Sequence, residues 1–108
     1  MNEMARLCLR LENEDGSFRE YKKEKVTARW VKEALKLSKE VNELEKKGDS
    51  IAVLEARLEF TCALFGDKDL TPEAILNGLA SDELFDKLDE VYAAAIGKKE
   101  KETTLGKE

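Results

Sequence analysis

The chain has 108 residues, with 24 acidic and 19 basic side chains, no histidine, two cysteines and one proline. A chain of this length buries roughly two-thirds of its unfolded surface, enough for one core and not for two. Its net charge of −5 argues against a nucleic-acid backbone or an anionic lipid surface as the main partner, because either requires a concentrated basic patch and the sequence shows none.

Forty per cent of the residues are charged and only 6% aromatic, yet 42% are hydrophobic, too many for a wholly disordered chain. A globular, helix-rich protein is expected. The longest uninterrupted apolar run, Val91 to Ile96, is far short of the ~20 residues that cross a bilayer. The first residues lack the apolar stretch of a signal peptide, so a cytoplasmic location is expected. Cys8 and Cys62 belong to no motif, which favours two buried reduced thiols over a disulfide or redox pair.

Taken in chain order, residues 5–12 alternate Leu7, Leu9 and Leu11 against Arg6, Cys8 and Arg10, the period of a half-buried strand. Asn13-Glu14-Asp15-Gly16-Ser17 supplies turn chemistry, and Phe18 to Lys23 alternates again, so a β-hairpin is expected. Its three leucines should lie on the helices that follow, since a two-stranded hairpin is marginal alone. Thr27 is a plausible N-cap for a long amphipathic helix carrying Trp30, Ala34, Leu37, Val41 and Leu44, with Val31 and Leu35 widening its apolar face. That helix should end near Lys47-Gly48. Asp49 or Ser50 then caps a second helix with Ile51, Leu54, Leu58, Thr61 and Phe65 at three- and four-residue steps, stopped by Gly66.

Thr71-Pro72 places a capping hydroxyl before a proline at the first helical position, starting a short helix over Glu73–Leu79. Ser81 offers a further cap for a last helix with Leu84, Leu88, Val91 and Ala95, flanked by Phe85, Tyr92 and Ile96 and closed by Gly97. The expected fold is mainly α: an N-terminal β-hairpin packed on a four-helix, largely antiparallel arrangement. Residues 1–97 form one domain. Residues 98–108, with seven charges, are read as a disordered tail.

The absence of histidine removes the commonest general base and every Ser-His or Cys-His nucleophile arrangement. No glycine cluster with a following Gly-Lys-Ser or Gly-Lys-Thr cradles phosphate. Asp67-Lys68-Asp69 lacks the later acids and central glycine of a calcium loop and reads as a solvated turn. The acidic pairs between Asp82 and Glu90 read as exposed stabilisers of a helix start. A helix-turn-helix over residues 70–97 fails on charge, because Lys87 is its only base. Catalytic, cofactor-binding and metal-ligating residues are therefore not assigned. Trp30 is either a core plug beside the hairpin or an anchor for a partner. The residues alone point to a small acidic helical binding or assembly protein.

The basic, aromatic segment Phe18 to Lys23, the Val26-Thr27-Ala28-Arg29-Trp30 lead into a helix with Ala34-Leu35-Lys36-Leu37, and the Leu64-Phe65-Gly66 stop come in a telling order. They are followed by Leu70-Thr71-Pro72-Glu73-Ala74-Ile75-Leu76-Asn77-Gly78-Leu79 and by Phe85-Asp86-Lys87-Leu88-Asp89-Glu90-Val91, ending in Gly97. In this order and spacing, residues 5–97 resemble the tail assembly chaperones of long-tailed siphovirus phages and related prophages of Gram-positive bacteria. The resemblance implies a non-enzymatic protein without cofactors that holds the tape measure protein while the tail tube polymerises. The tail tube protein is a further candidate partner, and self-association into an oligomer is also implied. So are action in the host bacterial cytoplasm, absence from the mature virion, and a longer form made by ribosomal frameshifting, for which the codons of Gly97-Lys98-Lys99 are a candidate site. Trp30, Leu37, Val41 and Leu44 are the candidate partner-binding residues. Two other classes remain open: a small regulatory or adaptor protein, and a minor structural tail subunit.

Overall fold

The computed structural model describes residues 7–97. A two-stranded antiparallel hairpin, β1 (Leu7–Glu12) and β2 (Phe18–Lys23), is followed by α1 (Arg29–Lys46), α2 (Ser50–Phe65), α3 (Pro72–Gly78) and α4 (Leu84–Ala95). The mainly helical fold with an N-terminal hairpin is the one expected from patterning. The proposed tail, residues 98–108, and positions 5 and 6 of the expected strand lie outside the described residues.

The hairpin is closed by local polar chemistry. The Asp15 carboxylate accepts from the Ser17 backbone N–H at 2.9 Å and from its hydroxyl at 2.6 Å. These bonds hold the Asp15 carboxyl below the usual carboxylate range, the side-chain bond contributing most. Gly16 takes the positive φ of 90° that the turn demands. The register sets Leu9 opposite Tyr21 and Leu11 opposite Arg19, so the face with Leu7, Leu9, Leu11 and Tyr21 is buried as a unit. On the other face the Arg10 guanidinium lies 4.0 Å from the centre of the Phe18 ring, a cation–π contact at the surface.

Two of the four expected helix caps form. Asp49 accepts from the Ala52 N–H at 3.0 Å and Thr71 accepts from the Ala74 N–H at 3.1 Å. Thr27 and Ser81 do not cap. Ala28 and Glu83 occupy the cap positions of α1 and α4, and neither makes a side-chain cap bond. The lead into α1 is instead closed by backbone bonds, with the Trp30 N–H donating to the Thr27 carbonyl and the Glu83 N–H to that of Ala80 before α4. A 3₁₀-like turn of this kind satisfies the first donors without a hydroxyl. The stops at Gly48 and Gly66 are as expected, with φ of 72° and 71°.

α2 is the central element, touching α1, α3, α4 and β2. Its apolar residues surround the helix rather than forming one stripe, as a helix packed on several sides requires. Leu58, Thr61, Leu64 and Phe65 are buried, joined in the core by the hairpin leucines, Leu70, Ile75, Leu88 and Val91. The Thr61 hydroxyl donates to the Arg57 carbonyl one turn back, which satisfies its burial. The hairpin is fastened at two points. Gly78 lies so close to Leu11 and Glu12 that an added Cβ would meet the Leu11 Cβ at 2.8 Å. Lys87 donates to the Cys8 carbonyl at 3.1 Å and to Glu90 at 3.0 Å, tying α4 to β1.

Candidate partner-binding surface

α1 and α2 run antiparallel, because Trp30 at the start of α1 meets Phe60 near the end of α2. Their rings are 5.8 Å apart and nearly perpendicular, the edge-to-face geometry aromatic pairs prefer. Burial along this helical hairpin is steeply graded. The last buried residue of α1 is Leu37 and the first of α2 is Leu58, so the 20 residues between them contain no buried side chain.

That outer part is not polar throughout. Val41, Leu44, Val53 and Leu54 are half-buried, and Ile51 is 70% exposed. Nothing else among the described residues covers them to the degree that the core residues are covered. A side chain such as Ile51 gains little from the monomer's own packing.

The four expected contact residues fall in different places. Leu37 is 7% exposed and turned inward. Trp30 is half-buried and rests on the core through Phe60, so its reading as a core plug holds in part. Val41 and Leu44 lie in the outer hairpin and keep accessible surface. Across the hairpin tip, in the first turn of α2, Ile51 is exposed and Val53 half-buried. Ile51 belongs to a stripe that patterning alone assigns to the core, and only the distance between the hairpin tip and the other elements reveals it as outward.

A basic face went unseen in the sequence because its charges are not consecutive. Arg29, Lys32, Lys36 and Lys39 advance by three, four and three residues along α1, all exposed, with Val31 and Leu35 at its margin. Leu35 is 61% exposed. The expectation that no basic patch exists is therefore corrected: net charge is acidic, but bases are concentrated on one helix face. The helical stepping, rather than the run length, was the signal that could have found it.

The remaining polar groups do not converge. Among the described residues no group of three or more Cys, Asp or Glu side chains is placed to hold a metal ion. The Asp67-Lys68-Asp69 segment is an exposed turn in which Asp67 accepts from the Asp69 N–H at 2.9 Å. Asp89 pairs with Arg57 of α2 at 2.5 Å, while Asp82 and Asp86 are exposed. The two cysteines are free thiols, both half-buried rather than fully buried as expected, and burial pushes the Cys62 thiol up to about 11. The Tyr21 phenol is raised by burial and its hydroxyl has no hydrogen-bond partner. No described helix is long and apolar enough to cross a membrane.

At the tip of the helical hairpin Ile51 is exposed, and along α1 exposed bases gather on one face. Neither a curated protein nor a solved structure matches the chain. The family model of a phage tail chaperone protein matches residues 4–108, nearly the whole chain, and the chain belongs to that family.

Proposed function

We propose that this chain binds and solubilises the tape measure protein of a long-tailed phage during tail tube assembly, acting by contact and not by catalysis. The carrying observation is the outer α1–α2 hairpin, where none of 20 consecutive side chains is fully buried: Val41, Leu44 and Val53 are half-buried and Ile51 is exposed. A tape measure protein is a long helical chain with apolar stripes, and such a stripe needs a complementary apolar face on a soluble partner. Trp30, Val41 and Leu44 are the proposed contacts on α1, with Ile51 and Val53 opposite them. Leu37, buried in the monomer, is left out of the proposed contacts. The acidic net charge keeps the complex soluble.

Retention of the tape measure protein in a co-expression pull-down tests the reading. Val41→Asp combined with Ile51→Asp should lower retention at least tenfold while helical circular dichroism is kept. Failure of the folded wild-type chain to retain the tape measure protein would refute the assignment. Unchanged retention by the double variant would refute the surface. The proposal also places the protein in the host cytoplasm before tail completion. Mass spectrometry of purified particles should find it absent, whereas a structural tail subunit would be present. The codons of Lys98-Lys99 remain the proposed slippage site for a longer form, and a gene without an A-rich heptamer there refutes that part.

A further inference from the structure

We infer that the outer face of α1 is a second contact for the tape measure protein, one that takes the acidic side of an amphipathic helix. The face lies apart from the hairpin tip, and its assignment rests on the tape measure reading. On a helix of roughly 3.6 residues per turn, Ala34 and Leu37 set the buried side of α1. Next round the helix comes an apolar row, Val31 and Leu35, four residues apart and exposed at 37% and 61%. Beyond that row stand Arg29, Lys32, Lys36 and Lys39, all exposed. From Arg29 to Lys39 the bases run beside the apolar row for about 15 Å of helix.

Charge and apolar exposure together select the occupant. Residues 29–39 hold four bases and a single acid, Glu33. Lys36 pairs with Glu33 at 3.9 Å, while Arg29, Lys32 and Lys39 make no ion pair among the described residues. Like charges gathered on one face repel one another, and a row of carboxylates on a partner relieves them. A helix with acids beside an apolar stripe meets both halves of the face: its carboxylates lie on the bases and its apolar side chains cover Val31 and Leu35. A nucleic-acid backbone satisfies the bases but leaves Leu35 in water, and the net charge of −5 repels a long polyanion. An anionic membrane calls for a broader apolar face than two side chains supply. The face is also continuous with the proposed contacts. Val41 lies two residues past Lys39 on the same helix, about 3 Å further along its axis, so one long helical partner reaches both.

Fluorescence anisotropy of the full chain with synthetic peptides of about four heptads, tiled along the tape measure protein, tests it. The peptides that bind should carry acids beside an apolar stripe. Raising salt from about 50 mM to about 500 mM should weaken them at least tenfold, since the screening length shortens several-fold. Lys32→Glu with Lys36→Glu should also weaken them at least tenfold, and Leu35→Ser, which keeps every charge, at least threefold. A peptide whose acids are replaced by lysine should bind the charge-reversed chain, a gain that a misfolded variant does not show. Unchanged affinity in both variants, or no binding of the reversed peptide by the reversed chain, overturns the inference; the tape measure reading then survives if retention still depends on Val41 and Ile51. A folded wild type that binds no tape measure peptide and retains no tape measure protein overturns both. Binding of a DNA duplex or of anionic vesicles that the charge-reversed chain loses, with peptide affinities unchanged, gives the face to that polyanion and likewise overturns the inference.

Discussion

Replacing Gly78 with alanine probes the seat of the hairpin on α3. Gly78 does not need a left-handed backbone, so alanine introduces no φ strain there. The new Cβ meets the Leu11 Cβ at 2.8 Å, the Glu12 carbonyl oxygen at 3.1 Å and the Glu12 nitrogen at 3.2 Å. Two of these three are backbone atoms of β1, which cannot swing aside as a side-chain tip would. Overpacking of this kind costs about 1–3 kcal/mol. Alanine recovers up to ~1 kcal/mol of helix propensity, and less at the last residue of α3. A net loss of about 1–2 kcal/mol remains, which lowers Tm by roughly 5–15 °C for a domain of this size. Thermal and urea unfolding followed by circular dichroism measure it, with Asn77→Ala as the control, an exposed neighbour expected to change stability by at most about 0.5 kcal/mol. A Gly78→Ala protein as stable as wild type, or more stable, would show that β1 does not rest on α3 at this distance.

Tyr21→Phe removes a buried hydroxyl without a partner and should stabilise the fold by about 1 kcal/mol in urea unfolding, whereas a loss would mean the hydroxyl is satisfied. The Cys62 thiol holds its proton to about 11 in the folded chain against 9.0 as its ordinary value. Stability from this group is therefore complete below pH 9 and lost as pH rises toward 11, and Cys62→Ala should flatten that decline relative to wild type. Asp49→Ala should cost about 1 kcal/mol as a lost N-cap, while Thr27→Ala and Ser81→Ala should each stay within about 0.5 kcal/mol. Leu58→Ala should cost about 2–5 kcal/mol, and Ile51→Ala less than about 1 kcal/mol, a contrast that inverts if the helical hairpin folds back on the core.

The hairpin and its buried side were legible because Leu7, Leu9 and Leu11 alternate at a period that only a strand satisfies. Helix ends at Gly48 and Gly66 were legible for the same local reason, a positive φ that glycine adopts without cost. The caps at Thr27 and Ser81 misled because a hydroxyl before a helix competes with backbone turns that close the same donors, and here the backbone bonds are formed. Burial beyond the hairpin was less legible. Ile51 and Leu58 carry the same periodic signal, yet one is 70% exposed and the other fully buried. What separates them is how far along α2 the other elements reach, a tertiary fact absent from any window of sequence. The basic face of α1 was hidden by the acidic total, since net charge sums over faces that point in different directions.

The gradient of burial along α1 and α2 also sets a gradient of local stability. Amide protons near Leu58 and Leu64 exchange with solvent only when the core itself unfolds. Those around Val41 to Val53 sit in helical turns without a buried side chain, where a short helix is marginal by its own hydrogen bonds. The outer turns therefore open and close many times within the lifetime of the folded core. A partner that covers them lengthens the closed periods, so slowed hydrogen exchange at the hairpin tip, with the core unchanged, is the signature that occupancy would leave on this molecule.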